Sequence, residues 1–106
     1  MTLLIELGQG DSDFADVILS DANGVFNLFG YTLIFSMSKG STSYDITCTS
    51  HPTVSISQGG VRIPFTATET AVVGTFSGKI YATVNGQQIT WPSGSEYFSV
   101  NIYPAV

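Results

Sequence analysis

The chain has 106 residues, of which 43% are hydrophobic and only 10% charged, with a formal net charge of −5. Eight carboxylates stand against Lys39, Arg62 and Lys79, so no basic stripe exists for nucleic acid or an anionic membrane. One histidine and one cysteine exclude an intrachain disulfide framework and leave little for acid–base or metal chemistry.

The length suits one domain over residues 1–106, and seven Phe, five Tyr and one Trp supply a large apolar payload. The start, Met1 to Glu6, has no basic segment and too short an apolar run for a signal peptide, and no stretch approaches a membrane span. The expected site of synthesis is a cytoplasm, with the product soluble or built into an assembly. Leu3 to Leu7 reads as a first strand. Gly8 to Asp13 is a polar, flexible, acidic break that could let that strand swing onto a neighbouring subunit.

From there the pattern has period two, which is the mark of half-buried strands. Val17 and Leu19 precede a turn at Asp21-Ala22-Asn23-Gly24. Tyr31, Leu33, Phe35 and Met37 alternate with polar or outward positions, and so do Tyr44, Ile46 and Cys48. Lys39-Gly40-Ser41 and Gln58-Gly59-Gly60 are turns. Val61, Ile63 and Phe65 share a face, and Pro64, which lacks a backbone donor, places that strand at an edge or a bulge. Ala67 to Val73 has room for one short helical turn. Phe76, Gly78, Ile80, Ala82 and Val84 face inward. Asn85-Gly86 is the favoured pair for a two-residue type I′ hairpin joining Phe76–Val84 to Gln87–Trp91. Pro92-Ser93-Gly94 precedes the last strand, with Phe98, Val100 and Ile102 inward. Seven or eight such strands, with turns every eight to twelve residues, predict an all-β antiparallel sandwich of the immunoglobulin-like kind. Its core should contain Val17, Leu19, Leu33, Phe35, Ile46, Ile63, Phe65, Phe76, Ile80, Phe98 and Val100.

Chemistry-bearing patterns are few. His51 lies before Pro52 in a polar loop with no second histidine or cysteine nearby, which describes a loop histidine and not a metal ligand. Cys48 has the apolar parity of its strand and no residue at a recognisable spacing to activate it. Asp11, Asp13 and Asp16 resemble half a calcium loop, but the glycine and closing glutamate of the helical calcium motif are missing. Gly74 to Lys79 is one residue short of a phosphate loop and has Ile80 where Ser or Thr must hold magnesium. Gly8-Gln9-Gly10 lacks the third glycine of a dinucleotide site, and no G-x-S-x-G elbow occurs. No catalytic, cofactor-binding or metal residue is therefore assigned, and no cofactor is expected. The remaining signal is contact surface. Tyr81, Tyr97 and Tyr103 have the outward parity of their strands, Trp91 ends another strand, and Leu4 is an outward apolar residue of the first. Such tyrosines serve as cross-strand pairs, as a protein interface, or as a sugar-stacking platform.

The segment Asp16 to Gly24, followed by Phe26-Asn27-Leu28-Phe29-Gly30-Tyr31-Thr32-Leu33-Ile34-Phe35, gives a strand, a D-x-x-G turn, a short strand, an L-x-G corner and an alternating strand. A second block runs from Gly60-Val61-Arg62-Ile63-Pro64-Phe65-Thr66 through Val73-Gly74-Thr75-Phe76-Ser77-Gly78-Lys79-Ile80. Trp91-Pro92 and then Tyr97-Phe98-Ser99-Val100-Asn101-Ile102 close it. Together they resemble, over residues 14 to 103, the immunoglobulin-like N-terminal module of the phage baseplate upper protein (BppU) family. The resemblance implies a non-enzymatic virion protein, made in the host cytoplasm, that docks on other virion structural proteins of the tail, baseplate or fibre within a homo-oligomeric or symmetric assembly. The family module usually heads a longer chain, so a capsid decoration or neck position is an alternative. A carbohydrate-binding module is the rival from a different class.

Overall fold

The computed structural model describes residues 2–21, 24, 25 and 27–105. Its strands are β1 (Thr2–Gly8), β2 (Asp13–Ile18), β3 (Ser20–Asp21), β4 (Gly24–Val25), β5 (Thr32–Lys39) and β6 (Thr42–Thr47). They continue as β7 (Thr49–Ser50), β8 (Gly60–Phe65), β9 (Gly74–Val84), β10 (Gln87–Trp91) and β11 (Tyr97–Tyr103). The helical content among the described residues is one 3-10 turn, Ile56–Gln58, closed by Gly59 at φ 83°. A six-stranded sheet in the order β1-β11-β9-β5-β6, with β10 also on β9, packs against a three-stranded sheet β2-β8-β7. This is an immunoglobulin-like sandwich.

The alternation noted above does the packing. Phe35, Phe76, Ile80, Phe98 and Val100 from the large sheet meet Val61, Ile63 and Phe65 from the small one, all essentially sealed from solvent. Phe35 lies edge-on to Phe98 and Phe65, with ring centroids 5.3 and 6.0 Å away. Of the core predicted from sequence only Val17 is half-buried, on an edge strand where one flank is open.

The turns follow their residues. β9 and β10 form a hairpin in which Val84 pairs with Gln87, with Asn85 at φ 48° and Gly86 at φ 81°, as a type I′ loop demands. Lys39 pairs with Thr42 across Gly40, at φ 60°. Of the turn at residues 21–24, Ala22 and Asn23 lie outside the described residues, as does Phe26, but Asp21 and Gly24 pair across it. The Leu28–Gly30 corner is held by Tyr31 N–H donating to the Leu28 carbonyl and Leu28 N–H to that of Ile56. Residues 67–70 form a hydrogen-bonded turn and not a helix, with the Thr70 N–H donating to the Thr66 carbonyl at 3.2 Å and the Thr68 N–H to the Thr66 hydroxyl. Glu69 Oε1 reaches back to accept from both the backbone N–H and the hydroxyl of Thr66, each at 2.8 Å.

Three expectations need correction. The sheet is mixed, because β1 runs parallel to β11 from Thr2↔Tyr97 to Gly8↔Tyr103, so the first strand is docked on its own chain. The break after β1 is tied down. Gln9 N–H donates to the Tyr103 carbonyl, Gly10 N–H to that of Thr70, and the buried Thr70 hydroxyl to that of Asp11 at 2.7 Å, while Asp13 already begins β2. Pro64 lies in a strand with neighbours on both sides, tolerated because β7 reaches only Val61 and Arg62 and leaves the flank beside Pro64 open.

Candidate functional site

The period-two rule assigns each residue its face. Along the large sheet Leu4, Ser99, Ser77, Ser38 and Ser43 stand in one outward row, and Thr90, Tyr81, Ile34 and Thr47 in another. Leu4, Tyr81, Tyr97 and Tyr103 are thereby brought to one outer face. Leu4 is 60% exposed, Tyr103 49% and Tyr97 38%, whereas Tyr81 is half-buried among its neighbours. Tyr81 sits between two shallow depressions, one shared with Ile34, Asp45 and Gln88, the other with Ser38, Lys79 and Tyr97.

Trp91 does not join them. It pairs with Ile80, an inward residue, and so turns onto Phe98 with 5.5 Å between ring centroids, while its Nε1–H donates to the Ser20 carbonyl at 2.8 Å. This was readable from the chain: a two-residue turn at 85–86 pairs 84 with 87 and therefore 80 with 91.

A second apolar feature escaped the sequence reading. Phe14 and Ile18 on β2 are 53% and 46% exposed, and with Leu4 they border an open groove of about 470 Å³ between β1 and β2. Its lining includes Leu3, Ile5, Ala15, Val17, Trp91 and Phe98. The signal was present, since placing Val17 and Leu19 inward sends Phe14 and Ile18 outward.

Several ionic groups are occupied locally. Arg62 stands opposite Asp16 in the β2–β8 register and donates from Nε at 2.7 Å and Nη2 at 3.1 Å, a bidentate pair. The Arg62 hydrogen bond holds the Asp16 carboxyl below the usual carboxylate range, and the same bond raises Arg62. The guanidinium also lies 3.7 Å over the Phe14 ring. Lys79 Nζ donates to the Gly94 carbonyl. Tyr103 donates its hydroxyl proton to Glu6, and this bond raises the Tyr103 pKa. Burial pushes the Cys48 thiol up to about 12. His51 Nδ1 accepts the backbone N–H groups of Thr53 and Val54, so the ring caps its own loop. No three His, Cys, Asp or Glu side chains converge on a possible metal position among the described residues. What the arrangement offers among the described residues is contact area, with Leu4, Phe14, Ile18, Tyr97 and Tyr103 exposed.

No protein-family model and no curated protein matches the chain. Solved structures do. The N-terminal domain of ORF48 of phage TP901-1 superposes with a TM-score of 0.64 at 12% identity, covering 95% of this chain and 93% of that one. A candidate glycoside hydrolase from Bacteroides vulgatus superposes at 0.53 with 17% identity, where 96% of this chain covers only 17% of the other. At these identities the likeness is one of fold.

Proposed function

We propose that this chain is a bacteriophage virion structural protein, a non-enzymatic immunoglobulin-like module that docks on other particle proteins at the tail or baseplate. The observation that carries this reading is the near end-to-end superposition on a phage domain, which leaves little of either chain outside the shared fold. Surface character supports it. Leu4, Phe14, Ile18, Phe29, Tyr97 and Tyr103 are large apolar side chains left exposed, and an assembly partner would cover such surface. Partners are other virion proteins in a symmetric assembly, and the interface includes Leu4, Tyr97 and Tyr103. Trp91 has a structural role beneath that surface.

Mass spectrometry of purified particles tests the reading. The chain should be recovered at a fixed ratio to the other structural proteins. Its absence from particles, together with specific glycan binding lost on Tyr81→Ala or Tyr97→Ala, would replace assembly with carbohydrate recognition at the outer face.

A further inference from the structure

Two strands of this fold have a free flank on the same opening. Among the described residues β1 is paired only with β11, and β2 only with β8. Both line the one groove whose floor is Leu3, Ile5, Val17, Trp91 and Phe98. Unpaired edges in soluble proteins are blunted by proline, lysine, bulges or a covering segment. Among the described residues β1 has none of these devices. Its sequence TLLIELG is apolar at four of seven positions, and Glu6 is its only charge. Leu4, Phe14 and Ile18 stay open to solvent along the same opening.

The charge around the opening is one-sided. Among the described residues Glu6 on β1 and Asp13 at the start of β2 form no ion pair; Glu6 accepts the Tyr103 hydroxyl and Asp13 the Phe14 N–H. Asp16 engages the Arg62 guanidinium in an ion pair at 2.7 Å. An occupant that neutralises Glu6 and Asp13 must bring its own positive charge. A second copy of the chain brings a net charge of −5 and is disfavoured.

We propose that the β1–β2 groove is a strand-docking site, which takes an extended segment of a partner protein whose residues alternate between apolar and basic. The segment adds to the free edge of β1, making main-chain hydrogen bonds along its seven residues, about 23 Å. Its apolar residues cover the groove floor and its Lys or Arg residues meet Glu6 and Asp13. This deepens the assembly reading and rests on it for the source of the segment.

The test uses the whole chain and three blocked ten-residue peptides without tryptophan: alternating Val-Lys, alternating Val-Glu, and Val-Lys interrupted by two prolines. Trp91 is the only tryptophan and lines the groove, so its emission reports occupancy directly. The Val-Lys peptide should shift Trp91 emission saturably and slow amide exchange at residues 3–7, and each control should bind at least tenfold more weakly. Raising salt should weaken binding. The charge-swapped Glu6→Lys/Asp13→Lys variant should reverse the preference toward Val-Glu, and Thr47→Ala, exposed on β6 at the far edge of the large sheet, should change nothing. Equal binding of both charges, protection outside β1, or self-association through β1 seen in sedimentation would overturn the proposal. Particle analysis separates it from the broader reading. Absence from virions with intact peptide selectivity removes only the assembly role, whereas presence in virions without groove binding removes only this site.

Discussion

Gly78→Ala is the sharpest probe of how the sandwich is packed. Gly78 lies mid-strand in β9, buried, between Phe98 on one side and Met37 on the other. Its φ is not positive, so the backbone itself accepts alanine. The obstacle is space. A Cβ there would stand 2.5 Å from Phe35 Cζ, 2.9 Å from Cε1 and 3.0 Å from the Ser36 carbonyl oxygen. Phe35 has no exposed surface and is wedged edge-on against Phe65 and Phe98, so it cannot swing aside without disturbing two further rings. Overpacking of this kind costs ~1–3 kcal/mol. In a domain near 100 residues each kcal/mol moves Tm by roughly 4–8 °C. Thermal and urea unfolding followed by Trp91 fluorescence will read the loss. Phe35→Leu removes the clashing ring atoms, so the double variant should be less destabilised than the sum of the two single ones. A Gly78→Ala protein as stable as the parent, or strictly additive with Phe35→Leu, would refute the close-approach argument.

Other consequences follow from named contacts. Gly86→Val should destabilise by ~1 kcal/mol or more, since its φ of 81° disfavours a β-branched residue though nothing lies within 4 Å to clash; calorimetry checks it. Thr70→Val keeps the shape but removes the hydroxyl that holds the Asp11 carbonyl, and should cost ~1 kcal/mol while speeding amide exchange at Gly10. Cys48 should resist thiol reagents at pH 8 in the folded state and react at once in denaturant, because burial holds its pKa at about 12. The depressed pKa of Asp16 means its contribution to stability is present above the ordinary carboxylate range and is lost as pH falls through the folded value. Asp16→Asn should therefore flatten the acid limb of a Tm–pH curve, and an unchanged limb would show that the Arg62 pair contributes nothing.

Much of this architecture was legible because period-two patterning is local. Once Phe76, Ile80 and Phe98 are placed inward, the faces of Tyr81, Tyr97 and Tyr103 are decided, and the Asn85-Gly86 pair sets the register of a whole hairpin. The parallel pairing of β1 with β11 was not legible. It joins residues more than ninety apart, and nothing in Leu3 to Leu7 distinguishes a parallel from an antiparallel neighbour. The anchored acidic break was hidden for the same reason, since its partners Thr70, Ala71 and Tyr103 are distant in sequence. The candidate surface was half visible. Parity exposed the tyrosines, but a groove between two sheet edges exists only once the sheet order is known, so Phe14 and Ile18 gained meaning from topology alone.

A reconstruction of the intact phage particle tests the central claim most directly. The account predicts density for this sandwich at a symmetry-repeated position on the tail or baseplate, with Leu4 and the β1–β2 opening covered by a neighbouring chain. Particles without such density, from a phage that expresses the protein, would contradict it.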